Sequence, residues 1–316
     1  MVRQTLRWLV SSLVLLFVVT ALTFVLVSLA PGDAARSILS SASGSYTEQQ
    51  YQQMRHLLGI DQPLAAQYWH WLSNLLHGSL GTDLFSGQPV TEVLADRIGP
   101  SLSITLGTVL VSGVVGVGLG IISARSGGVL GRLVDFISLL GLAVPNFWLA
   151  LVLVELFAVR LAVFPAGGYV DPVGDPAGWL ASIALPIITL SAGGVAFIAK
   201  QTRDAMAEVL GREFVTMLRA RGLSTGSIVL RHALRNAAIP VVTVLGLLLV
   251  SLLGGTVLVE SVFSIPGLGQ EAVTASGGHD LPVIAGVAFY FTVVVVIANL
   301  LVDMSYRWLN PKVRAS

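Results

Sequence analysis

The chain has 316 residues, of which 54% are hydrophobic and only 11% charged, and its net charge is +1. Soluble domains carry roughly a quarter charged residues, so this composition, with a mean hydropathy of +0.83, excludes an ordinary soluble core and predicts one membrane bundle. Cysteine is absent, which removes disulfides, thiolate nucleophiles and cysteine metal sites.

Arg3 and Arg7 precede an apolar block from Trp8 to Ala30, long enough as a helix to cross a hydrocarbon layer about 30 Å thick. It exceeds a secretory h-region in length, so a retained span is expected rather than a cleaved signal. Residues 31–100 then turn polar, carrying Asp33, Glu48, Asp61, Asp83, Glu92 and Asp96 among Gly and Pro. Within this insertion Leu64, Tyr68, Trp71, Leu72 and Leu75 recur at helical spacing, and Tyr68 to Trp71 predicts an amphipathic helix at headgroup level.

A second span is expected over Ser101–Ala124, where Gly113, Gly116, Gly118 and Gly120 lack the strand and lysine of a nucleotide loop and fit close helix packing instead. Leu133–Val159 predicts a third span, bent at Pro145. After a Gly/Pro loop from Arg160 to Trp179, a fourth span is expected over Leu180–Ala199, a fifth over Ile239–Phe263 and a sixth over Val283–Met304.

Those six spans place both termini on one side, and the 18 Lys and Arg divide unevenly between the two sides. Arg3, Arg7, Arg125, Arg132, Lys200, Arg203, Arg212, Arg219, Arg221, Arg231, Arg235, Arg307, Lys312 and Arg314 share one side. Only Arg36, Arg55, Arg97 and Arg160 fall on the other. The positive-inside rule makes the first side cytoplasmic. Both termini and residues 200–240 are therefore expected inside, and the insertion 31–100 outside.

No H-E-x-x-H pair, G-x-S-x-G elbow or phosphate-loop Gly-Lys-Ser/Thr occurs, and the histidines show no ligand spacing. The chain is expected to be a transport subunit, not an enzyme, with no cofactor or metal of its own. An ion-coupled secondary transporter, the alternative, needs ionisable groups within its spans. Asp135, Asp303 and Glu260 lie near predicted span ends, where water is expected to reach them. Glu155 lies deeper; it either lines a solute pathway or pairs with Arg160, and pairing is favoured.

The polar run from Arg212 to Pro240 has a specific layout. Phe214, Met217 and Leu218 share one side of a short helix, whereas Glu213, Thr216 and Ala220 lie off that stripe. Gly222 suits a helix stop, Ser224 or Ser227 suits the start of a second helix, and Arg231 and Arg235 project together from it. Two readings fit this layout: a handle gripped by a separate motor protein, and an interfacial segment resting on anionic headgroups.

Several motifs, in this order, resemble one family. They are L-A-P-G-D at Leu29–Asp33, L-L-H-G-S-L-G at Leu75–Gly81, G-Q-P-V at Gly87–Val90 and V-P-N-F-W-L-A at Val144–Ala150. L-R-A-R-G-L at Leu218–Leu223 is followed by L-R-H-A-L-R-N-A-A-I-P at Leu230–Pro240, E-S-V-F-S-I-P-G-L-G at Glu260–Gly269 and N-L-L-V-D at Asn299–Asp303. Together they resemble the integral membrane permeases of ATP-binding-cassette importers, specifically the dipeptide, oligopeptide and nickel permease family.

The resemblance implies an all-α type I importer permease of six transmembrane helices, with an extracytoplasmic insertion between the first two and a five-helix core over residues 101–316. It implies that Glu213 to Arg221 form a coupling helix in a groove of a cytoplasmic ATPase, with Phe214, Met217 and Leu218 packing there and Gly222 as the turn. Arg219, Arg221, Arg231 and Arg235 belong to the same coupling surface. Implied partners are a second related permease, two ATPase subunits that bind the ATP and magnesium, and an extracytoplasmic solute-binding protein, all at a cell membrane and none of them nucleic acid. Met217 and Leu218 depart from the smaller residues frequent in that family. Dipeptides, longer peptides, nickel complexes and other small solutes are all within the family's range.

Overall fold

The protein, seen in a computed structural model that describes residues 2–126 and 128–309, is helical. Among the described residues the strand-like pairing is one isolated bridge between Thr82 and Pro89. Lys312 and Arg314 lie outside the described residues, as do the side chains of Arg3, Arg7, Arg132 and Arg307.

Helix α1 (Val2–Leu29) is followed by three short helices, α2 (Ala34–Ser43), α3 (Glu48–Leu57) and α4 (Leu64–Leu76). Their starts are chemically marked. The Asp33 carboxylate accepts the Arg36 amide at 2.9 Å. Thr47 and Gln50 form a reciprocal capping box that satisfies two otherwise orphaned amides of α3.

Helix α5 (Val90–Ser126) begins eleven residues before the predicted span and runs through Pro100. The reason is a buried stripe: Val90 and Leu94 are buried and Ile98 packs beside them, at helical spacing, while Glu92 and Asp96 face away. The polar residues that read as loop are one face of a helix.

Residues up to Pro100, with Pro266–Val296, form one compact unit; Ser101–Ile265, with the chain from Ile297 onward, form the other. In the first unit Trp71 is buried against Phe24 of α1, with Leu64, Tyr68, Leu72 and Leu75 around it. The apolar face predicted for α4 therefore packs on α1. Its polar tips explain why: Trp71 Nε1 donates to the Leu80 carbonyl at 3.2 Å, and the Tyr68 hydroxyl meets that of Thr20 at 3.0 Å. Trp69, 68% exposed, is the aromatic that faces outward.

Also in this unit, α12 (Leu268–Gly278) and the start of α13 (Leu281–Leu309) pack on Val90 and Leu94. Arg97 pairs with Glu271 at 3.1 Å.

In the second unit α5 lies against α8 (Pro176–Leu210), and small residues set the approach. A Cβ on Gly116 would stand 2.8 Å from Ile198 Cβ, and one on Gly120 would stand 2.7 Å from the Ala199 carbonyl oxygen. These glycines let two backbones meet closely, as the sequence predicts.

The stretch expected as one bent span is instead interrupted. Helix α6 (Gly128–Ala143) stops before Pro145, α7 (Asn146–Leu153) starts after it, and a π-helical turn, Val154–Arg160, completes the run. Pro145 is extended, with ψ 130°, and acts as the N-cap of α7 rather than as a kink inside a helix. Proline has no amide to lose at a helix start, so the chain breaks there cheaply.

Among the described residues, five helical stretches are long and apolar enough to cross a membrane: Trp8–Leu29, Val90–Arg125, Pro176–Leu210, Thr225–Val262 and Leu281–Tyr306.

Candidate functional site

The site is built where α8 ends. Ala205, Met206 and Val209 on its last turns form a buried cluster with Val229, Ala233 and Ala237. Gly211 and Arg212 then turn the chain into α9 (Glu213–Ala220). Arg212, its N-cap, also pairs through Nη2 with Glu208 at 2.7 Å, one helical turn back.

Helix α9 is held from beneath. Val215 is fully buried, Phe214 packs on the cluster just described, and Leu218 is half-buried beside them. Glu213, Thr216, Met217 and Ala220 lie on the opposite, exposed face, with Met217 63% exposed. The apolar stripe expected as one docking face is thus divided: Phe214 and Leu218 fix the helix to its own chain, and Met217 alone of the three projects outward. Val215 was not singled out by the periodicity, because a lone β-branched residue amid Phe, Met and Leu carries no distinct signal.

Gly222 has φ +79°, a region that side-chain-bearing residues rarely adopt, and nothing lies within 4 Å of the position of an added Cβ. Its presence is required by backbone conformation rather than by crowding. Of the two serines open for a cap, Ser224 takes the role, accepting the Ser227 amide at 3.4 Å. Helix α10 (Thr225–Ser227) passes without a break into a π-helical turn, Ile228–Ala233, and then into α11 (Leu234–Val262). Arg219, Arg221, Arg231 and Arg235 are all exposed. The arrangement is a short anchored helix with one polar-apolar outer face, a glycine joint, and a long helix rising from it, ringed by arginines.

The other predicted ionisable groups lie elsewhere. Glu155 sits on the π-helical turn at the end of the broken run, largely exposed, and accepts from Arg160 Nε at 2.9 Å. Asp135 pairs with Arg203 of α8, and Asp303 is exposed. Glu260 departs from expectation: it is fully buried, out of reach of water, and accepts the Ser101 hydroxyl at 2.7 Å. A carboxylate near a helix end is solvated only if no other element covers that end, and here α5 does.

On the opposite side of the sequence from this loop, in the first unit, a second acidic centre emerges that sequence reading missed. Asp280, 2% exposed, accepts the Leu84 amide at 2.7 Å and the Val283 amide at 3.1 Å. Burial, and the neighbouring Asp83 carboxylate, push its pKa up to about 6 against two amides that pull it down. Asp83 itself accepts from the Phe85 and Ser86 amides, and is held below the usual carboxylate range by these bonds and by Asp280. The two acids are 197 positions apart in sequence, so spacing gives no sign of the pair.

Comparison with known proteins covers nearly the whole chain. Residues 116–315 match the family described as "Binding-protein-dependent transport system inner membrane component", and residues 1–105 match its N-terminal counterpart. A probable peptide ABC transporter permease protein of Sinorhizobium fredii is 37% identical, over 98% of both chains. The glutathione transport system permease protein of Pectobacterium atrosepticum is 38% identical, over 95% of this chain and 94% of its own. A probable D,D-dipeptide transport system permease protein of Escherichia coli is 36% identical, over 93% of this chain and 92% of its own.

Among solved structures, an inward-facing crystal form of the MetNI methionine ABC transporter superposes with a TM-score of 0.57 at 20% identity, covering 70% of this chain and 97% of that one. At that identity the likeness is one of fold. Fold, long-range sequence identity and both matched regions agree: the chain belongs to the inner-membrane components of binding-protein-dependent transport systems.

Proposed function

We propose that this chain is the membrane-embedded half of an ATP-driven importer for peptides or related small solutes. What supports the substrate class is that relatives more than a third identical over nearly the full length are named as peptide, D,D-dipeptide and glutathione permeases.

In this reading the chain crosses the membrane six times, α6 and α7 together making the crossing that no single long helix makes. Both termini and α9 lie in the cytoplasm, where the excess of arginine favours them. Residues 31–100 lie outside. The partners are a second related permease, two ATPase subunits carrying ATP and magnesium, and an extracytoplasmic binding protein.

Coupling runs through α9. Its exposed face, with Met217 at the centre and Glu213, Arg219 and Arg221 around it, docks in the ATPase, and Val215 with Phe214 and Leu218 transmits the load to α8 and α11. Arg231 and Arg235 flank the contact. The single observation that carries this is the split of α9 into an anchored face and a free one, because a helix that must pass force needs both. Anchored, it moves with the spans; exposed, it can be gripped.

The experiment is reconstitution of the assembled transporter in proteoliposomes. Gly222→Pro forces φ to about −65° where the joint has the opposite sign, so ATP hydrolysis should persist while uptake falls at least tenfold. Wild-type uptake per ATP in that variant would overturn the coupling assignment. Purification in mild detergent should bring ATPase subunits with the chain, which an ion-driven carrier would not do.

A further inference from the structure

The first unit contains a half-open cavity of about 640 Å³, within the range of small-molecule sites. Its wall is built by Phe24 and Val27 of α1, Arg55 of α3, Trp71 of α4, and His279 with Leu281 at the start of α13. Every residue of that wall belongs to this one unit.

Two polar atoms on the wall stand out. Arg55 Nε is buried and meets no hydrogen-bond acceptor, lying 3.9 Å from the Asp33 carboxylate. Both Asp33 oxygens are already engaged, one by the Arg36 amide at 2.9 Å and one by the Tyr51 hydroxyl at 2.5 Å. The guanidinium, ion-paired with Asp33, therefore retains one unused donor at Nε. His279 provides the complement. Its Nε2 lies 3.1 Å from the Pro31 carbonyl, which can only accept, so Nε2 carries the proton and Nδ1 is a lone pair. That Nδ1 is buried and has no hydrogen-bond partner among the described residues.

His279 is also held in an unusual way. It adopts φ +60° as the C-cap of α12, and its ring lies on Gly32, where a Cβ would stand 3.0 Å from it. A left-handed non-glycine residue is costly unless its surroundings fix it. Here the fixed ring aims an acceptor that no described residue uses.

We propose that this cavity is a binding site for a zwitterionic amino acid or dipeptide with an apolar side chain. The carboxylate of such a ligand meets Arg55, its ammonium meets His279 Nδ1 and the negative field of Asp33, and its side chain lies on Phe24 and Trp71. One fixed cation and one fixed anion on the wall match a ligand with both charges. A purely anionic or purely cationic ligand would leave one of them opposed. The site is separate from the coupling loop, and the inference does not rest on import or on which solute is carried.

The test is equilibrium dialysis of radiolabelled alanyl-leucine against the full-length chain in nanodiscs, without partner subunits. Saturable binding is expected, weakened at least tenfold by Arg55→Gln and by His70→Trp, which narrows the cavity from an exposed wall position. N-acetyl-leucinamide, which lacks both charges, should not compete. Absence of saturable binding up to 10 mM, equal competition by the neutral analogue, or unchanged affinity in folded Arg55→Gln would each overturn the proposal. Should Arg55→Gln not fold, His70→Trp and the competitor decide it. A failure of uptake in the reconstituted transporter would leave these binding results as they stand, so the two readings fail separately.

Discussion

Ser101 and Glu260, 159 positions apart in sequence, meet at 2.7 Å with the carboxylate fully out of solvent. A hydrogen bond to a charged or carboxyl group contributes about 1.5–3 kcal/mol, and breaking it leaves the buried partner worse off. Ser101→Ala is expected to lower the thermal unfolding midpoint in detergent by several degrees. Glu260→Gln keeps a side-chain carbonyl as acceptor and should lose less. Equal losses in the two variants would count against the hydroxyl as an important donor.

The Asp83–Asp280 pair predicts a pH dependence. Asp280 titrates near pH 6 in the fold, above the ordinary 3.8. Folding therefore takes up a proton between those values, so the contribution to stability is complete below pH 3.8 and is lost as pH rises through 6. Asp83→Asn should shift the titration downward: its amide oxygen can keep the Phe85 and Ser86 bonds, and its NH2 group can donate to Asp280. Carboxyl-sensitive infrared titration reads the value directly. An unmoved midpoint would show that burial alone sets it.

The two faces of α9 predict opposite phenotypes. Val215→Asp buries a charge with no partner and should unseat the helix, lowering stability by several kcal/mol. Met217→Asp alters only the exposed face. Its melting temperature should match wild type while co-purifying ATPase subunits are reduced at least fivefold. Normal co-purification with Met217→Asp would remove Met217 from the contact.

Gly120→Ala tests the close approach of α5 and α8. The added Cβ meets a backbone oxygen at 2.7 Å, which cannot rotate away. Overpacking of this kind costs about 1–3 kcal/mol, measurable as reduced thermal stability. Gly118→Ala, with nothing within 4 Å, is the matched control and should be neutral or slightly stabilising.

Much of the fold was legible because apolar length and glycine spacing report on local geometry. Among the described residues the five long helices overlap predicted spans, several running well past the predicted bounds, and Gly116, Gly120 and Gly222 do what their residue type suggests. Periodicity also found the apolar face of α4, but not what covers it. What escaped was set by distant partners. Glu260 reads as a solvated end residue until α5 covers it, and the α9 stripe reads as one face until Val215 is seen beneath it. Asp83 and Asp280 become neighbours, and Arg55 and His279 come to line one cavity, only through the packing of the first unit. Single-chain patterns describe which side of a helix is apolar; they do not say which neighbour claims it.

The uninterrupted run from Thr225 to Val262 has a mechanical consequence. Its 38 residues make a rod of roughly 55 Å. A tilt of about 10° around its middle sweeps each tip through an arc of roughly 5 Å, about one helical turn. The π-helical turn near one tip adds a residue to the winding there, resetting which side chains face α8 without loosening the rod. Small angular changes beside Gly222 therefore reappear, inverted in direction and reduced only by whatever bend Pro240 in the helix interior absorbs, next to the buried Glu260 at the far tip.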